Sequence, residues 1–152
     1  MKWSRLLVAA AAIAVLGGSR AEAASTCTIS TTSVNFGSYS VFAGSATDST
    51  GTVTITCNGA AHDVVVSLSK GASSTFSPRT MMMGSEVLSY NLYRDAARTS
   101  IWGDGTAGTA TYTNANPPNN TVINITVYGR VPAGQDVSAG AYSDTVSAVI
   151  NF

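Results

Sequence analysis

The chain has 152 residues, with eight basic and eight acidic side chains, one histidine and 45% hydrophobic residues. Charges this sparse and scattered form no basic stripe for phosphates, and no basic residues interleave with aromatics, so no nucleic-acid partner is expected. The length suits one domain with its own hydrophobic core.

The first residues read as an export signal. Lys2 and Arg5 give a charged start, Leu6 to Leu16 is an unbroken apolar run, and Ala21-Glu22-Ala23 offers a small-x-small cleavage site. The run has 11 residues, where a transmembrane helix needs about 20, and no second apolar stretch follows, so no membrane insertion is expected. Residues 1–23 are therefore read as a signal peptide and 24–152 as the domain, which keeps five basic against seven acidic residues.

Cys27 and Cys57 are the two cysteines of the chain. In an exported protein an oxidising compartment favours a disulfide, and two cysteines allow one pairing; the alternative is a pair of buried free thiols. In the chain-entropy account a bridge across a loop this long contributes about 3.5 kcal/mol.

Beyond the signal the residues alternate with period two, punctuated by Gly, Asn, Asp, Ser and Pro, as in short strands and turns. Cys27 and Ile29 share one face opposite Thr28 and Ser30. In the next strand Val53, Ile55 and Cys57 face away from Thr52, Thr54 and Thr56, so both cysteines point inward. Further strands carry Val64, Val66 and Leu68; Leu88, Tyr90 and Leu92; Ile123, Ile125 and Val127; and finally Val146, Ala148, Ile150 and Phe152. The intervening loops are expected at 43–50, 70–78, 102–118 and 132–140. The fold class is all-β, an immunoglobulin-like β-sandwich. Such a sandwich has about seven strands, yet six are counted and the alternation is still running at Phe152, so the sandwich is expected to be incomplete, its final strand missing. The alternative is an uncounted strand near Val34 to Val41 or Ala110 to Tyr112.

Catalytic constellations are weak. Gly103, Gly105 and Gly108 spell G-x-G-x-x-G, but the strand-like run Thr109 to Thr113 stands where a dinucleotide site needs a helix N-terminus. His62 has Asp63 beside it, and neighbours on a strand point to opposite faces, so no triad forms there. No metalloprotease, nucleophile-elbow, P-loop or EF-hand spacing occurs. The chain is expected not to be an enzyme and to need no cofactor or metal. The loop carrying Trp102, Asp104 and Tyr112 is a possible ligand site, with oxygens for calcium and rings for stacking on sugar, though solvated loop composition explains it as well. Met81-Met82-Met83 reads as core filling or as an adaptable apolar contact.

Cys27 with Val34-Asn35-Phe36-Gly37 and Tyr39, then Gly51 to Cys57, Leu88 to Asp95, Trp102 to Gly105, Val127 to Pro132, and Gly140 to Val146 with Phe152 form a series of blocks. Together they resemble the spore coat protein U domain family, whose members are similar to the Csu-type pilins of archaic chaperone–usher pili. The resemblance covers Cys27 to Phe152. It implies an immunoglobulin-like domain lacking its seventh strand, which a periplasmic chaperone lends until the next subunit's N-terminal extension replaces it; such strand addition uses backbone hydrogen bonds for affinity and side-chain pockets for specificity. It also implies the Cys27–Cys57 disulfide, and an acceptor groove lined by Ile29, Val146, Ala148, Ile150 and Phe152. Implied partners are a periplasmic chaperone, an outer-membrane usher and other pilus subunits, with export to the periplasm and then the cell surface.

With cleavage after Ala23, only Ala24, Ser25 and Thr26 precede Cys27. Three residues reach about 10 Å, too short for a donated strand. A strand-accepting subunit at a tip or capping position is therefore expected. The competing readings are a secreted coat or matrix protein that completes its own fold, and a carbohydrate-binding adhesin domain built on the Trp102 loop.

Overall fold

The computed structural model describes residues 24–152; the expected signal peptide, residues 1–23, lies outside them. Eight strands follow one another: β1 (Thr26–Thr32), β2 (Thr47–Asn58), β3 (Val64–Leu68), β4 (Arg79–Met83), β5 (Glu86–Tyr93), β6 (Tyr112–Asn114), β7 (Val122–Val131) and β8 (Ala148–Asn151). No helix occurs among the described residues. β1, β2, β7, β5 and β4 form one antiparallel sheet in that order, and β6, β3 and β8 form a second.

The alternation of the sequence sets the faces. Val53, Ile55 and Cys57 on β2, Val64, Val66 and Leu68 on β3, and Leu88, Tyr90 and Leu92 on β5 are all buried in one core cluster. Burying each aliphatic side chain contributes about 1.5–3 kcal/mol, and these residues hold the two sheets together. Cys27 stands directly opposite Cys57 in the β1–β2 register, and the two form a disulfide. The bridge therefore staples neighbouring strands of one sheet.

The structure departs from the expected elements at five places. β2 begins at Thr47, so the second half of the expected 43–50 loop is strand paired to β7. β4 and β6 are additional strands, both short. The last ladder begins at Ala148, so Val146 lies ahead of it. Residues 33–39, which alternate as a strand would, form none.

Trp102 is 0% exposed. Its indole N–H donates to the Val66 carbonyl at 3.0 Å and its backbone N–H to the Leu92 carbonyl at 2.9 Å. A tryptophan spent on joining the two sheets has no ring face for a sugar, which corrects the stacking role expected of it.

Candidate functional site

A cleft of about 1070 Å³ opens between two extended segments, 31–42 and 137–146. Its floor is the core itself: Val53, Leu88, Tyr90, Leu92, Val127 and Val131 line it. These floor side chains are 0–6% exposed, and the cleft lies above them where the two segments stand apart.

Each wall is fastened through side chains. Val34 and Phe36 hold the first segment down because Gly51 and Gly129 leave room beneath it. A Cβ on Gly129 would stand 2.6 Å from Val34 Cγ1 and 2.7 Å from Phe36 Cζ, closer than packed atoms come. Phe36 also meets Tyr90 edge-on, with ring centroids 5.9 Å apart, a favourable aromatic geometry. Tyr39 donates its hydroxyl to the Pro132 carbonyl at 3.1 Å and accepts the Gln135 N–H at 2.9 Å.

The second wall is fastened at its C-terminal half. Met82 and Ser143 exchange both backbone hydrogen bonds, at 2.9 and 3.2 Å. The Asp144 carboxylate accepts the Tyr90 hydroxyl at 2.6 Å and the Ala72 N–H at 2.8 Å. Burial and the neighbouring carboxylate both raise the Tyr90 pKa above its ordinary value, so the phenol stays a donor.

The backbone of the walls is mostly unpaired. Among the described residues, the one backbone–backbone bond of segment 33–43 joins Ala43 N–H to the Ser40 carbonyl. Segment 133–142 makes none. Unpaired peptide groups beside an apolar floor form the edge onto which a further strand can pair. At the mouth Phe42 is 95% exposed.

Of the five residues expected to line an acceptor groove, Val146 and Ala148 line the cleft, and Ile29, Ile150 and Phe152 do not. Ile29 and Ile150 pack against the core where β1 and β8 are neighbours, so the gap is closed at that end. Phe152 is 51% exposed. The possible ligand loop does not assemble a site. Asp104 spends one oxygen on the Thr106 hydroxyl and N–H, at 2.6 and 2.9 Å, and its pKa is lowered chiefly by that hydroxyl. Tyr112 is half-buried on β6. No group of three or more metal-ligating side chains occurs among the described residues.

Sequence reasoning missed Phe36, Tyr90 and Asp144 as parts of the cleft. For Asp144 a clue was present: it falls on the inward face of the run Tyr142, Asp144, Val146, Ala148, where a carboxylate must have a partner.

Three comparisons bear on this geometry. The Spore Coat Protein U domain profile matches residues 11–149. "Protein U" of Myxococcus xanthus is 39% identical over 67 residues, which is 44% of this chain and 35% of that protein. One chain of the CsuC–CsuE chaperone–tip adhesion subunit pre-assembly complex, from the archaic chaperone–usher Csu pili of Acinetobacter baumannii, superposes with a TM-score of 0.61 at 22% identity. That superposition covers 85% of this chain and 40% of the other. The chain thus spans well under half the length of either relative, and the structural likeness is one of fold. With the profile running across nearly all of the sandwich and both walls of its cleft, the chain belongs to the Spore Coat Protein U domain family.

Proposed function

We propose that the chain is a structural subunit of a cell-surface chaperone–usher pilus, and that it works by accepting a strand from a partner. The observation that carries this is the cleft itself. Two extended segments whose backbones are mostly unpaired stand on either side of an apolar floor, with a cleft between them. An extended segment with alternating apolar residues satisfies both, through backbone hydrogen bonds to 33–41 and 137–142 and side chains on the floor. A periplasmic chaperone supplies that strand first and a neighbouring subunit afterwards, with an usher at the outer membrane. The likeness of fold to a chain of a chaperone–tip adhesion subunit complex supports a chaperone among these partners. The role is one of assembly, with no catalysis.

The finer reading is a tip or cap. With cleavage after Ala23, β1 follows within three residues, leaving no extension of strand length to donate. Immunogold labelling of fibres is expected to mark an end, and labels spaced along the shaft would remove this reading.

Periplasmic expression with and without a cognate-type chaperone tests the main proposal. The lone chain is expected to be poorly soluble and to melt low, and the chaperone or a strand-mimicking peptide to rescue it. The family's coat-protein name favours the second reading, a self-complete secreted coat domain; a lone chain that is soluble and melts cooperatively without help establishes that reading instead.

A further inference from the structure

We propose that Asp144 is a positioning residue, the clasp that sets the second wall of the cleft at the distance an inserted strand needs. This rests on the strand-acceptor reading. Asp144 lies in segment 137–146, yet its hydrogen bonds run to two other parts of the fold. Oδ2 takes the Tyr90 hydroxyl from β5 at 2.6 Å, and Oδ1 takes the Ala72 N–H, beyond β3, at 2.8 Å. Ala72 lies in the loop joining β3 to β4, so one carboxylate ties the wall both to a strand of the five-stranded sheet and to the loop that crosses between the two sheets. Oδ1 also accepts the Thr145 N–H at 2.8 Å, which fixes the carboxylate's direction.

The fit allows little variation. Gly71 has φ +67°, and a Cβ there would run into the Asp144 carboxylate, so a glycine is needed for the loop to approach. Around the clasp the wall changes character. Ser143 pairs with Met82, and the Ser147 carbonyl accepts the Ser69 N–H at 2.9 Å. Among the described residues, 133–142 make no backbone–backbone bond. Asp144 therefore sits where the pinned part of the wall gives way to the part left open for pairing. Its partner Tyr90 is a floor residue that also carries Phe36 of the opposite wall, so Tyr90 links the two walls through one ring.

The test uses the exported chain and a synthetic peptide of about ten residues with Val or Ile at alternate positions. Binding is followed by stopped-flow fluorescence, and the melting temperature is taken with and without peptide. Asp144→Ala is expected to raise the peptide off-rate about tenfold or more, since it removes hydrogen bonds to a charged acceptor. Tyr90→Phe, which leaves the backbone contacts of Asp144 in place, is expected to raise it a few-fold and serves if Asp144→Ala does not fold. Asp144→Asn keeps the length and one acceptor oxygen but puts an NH2 donor in place of the other, and is expected to rescue in part. Asp144→Glu keeps the charge but adds a methylene against Gly71, and is expected not to rescue. A merely structural role lowers the melting temperature equally with and without peptide, whereas the clasp shrinks the gain that peptide brings. A wild-type chain that takes up no peptide overturns the acceptor reading and the clasp with it. A wild type that takes it up, beside variants that hold it as long, overturns the clasp alone.

Discussion

Arg79 donates from Nη1 to the side-chain oxygen of Asn91 at 2.8 Å, and both residues are buried. Arg79 also donates to the Ser69 carbonyl from Nε and Nη2, at 3.0 and 2.9 Å, and to the Trp102 carbonyl at 2.6 Å. Asn91 completes the group by donating to the Phe76 carbonyl at 2.9 Å. Burial lowers the Arg79 pKa from its ordinary value, but the carbonyls that surround the guanidinium keep its donors satisfied.

Replacing Arg79 is expected to be among the most damaging single changes. Arg79→Leu leaves the Ser69 and Trp102 carbonyls without their donor and the Asn91 oxygen with the Leu92 N–H alone, a loss of about 3–5 kcal/mol by analogy with a broken buried network. Arg79→Lys is expected to recover little, since an ammonium cannot reach three separate acceptors in the plane a guanidinium serves. Urea unfolding of the two variants checks both statements.

Gly129→Val is expected to dislodge the first wall. The added atoms collide with Val34 and Phe36, at a cost of about 1–3 kcal/mol for an overpacked contact. Loss of the Phe36–Tyr90 contact should appear as a change in the near-ultraviolet circular dichroism of the tyrosines, with the far-ultraviolet β signal retained.

Much of this architecture could be read from period-two alternation. Val53-Ile55-Cys57, Val64-Val66-Leu68 and Leu88-Tyr90-Leu92 are buried as expected. Alternation failed where packing rather than period sets the strand. Met81-Met82-Met83 does not alternate in hydrophobicity, yet β4 forms because its backbone pairs with β5. Trp102 stands in a glycine-rich stretch that reads as a surface loop, and only the tertiary fold shows the cavity its indole fills. The cleft misled in the opposite way. Val34 and Phe36 on one side, and Tyr142, Asp144 and Val146 on the other, alternate as strands do, but a ladder needs a run of partners: among the described residues the first run has no backbone partner beyond its own segment and the second has the single Met82–Ser143 bridge. The cleft therefore lies one segment away from the β8 ladder on which the expected groove residues were placed.

Removing the disulfide is expected to destabilise the chain strongly. Cys27 and Cys57 are 30 residues apart, and Cys27→Ser with Cys57→Ser should lower unfolding free energy by about 3.5 kcal/mol in the chain-entropy account. Guanidinium unfolding of the double variant against the oxidised wild type measures it.

Stability should decline in acid. Asp48 is held below its ordinary pKa chiefly by the Arg130 side-chain hydrogen bond, with Arg98 adding to the effect; Arg130 meets it at 2.7 and 2.8 Å. Asp95 is lowered first by the Ser100 N–H and then by Thr99. A carboxyl group depressed in the fold contributes its stability above the unfolded value, here 3.8, and loses it as pH falls through the folded value. Melting temperature is thus expected to be flat above about pH 5 and to fall below about pH 4. Asp48→Asn should flatten part of that fall, by a small amount because the pair is solvent-exposed.

Hydrogen–deuterium exchange of the exported chain, with and without a strand-mimicking peptide, tests whether the two wall segments are an unfilled strand site. Without peptide, amides in 33–41 and 137–142 should exchange quickly while those of β2 and β7 are protected, and peptide should slow both wall segments together. Wall amides already protected in the lone chain, or unchanged when peptide is present, would contradict it.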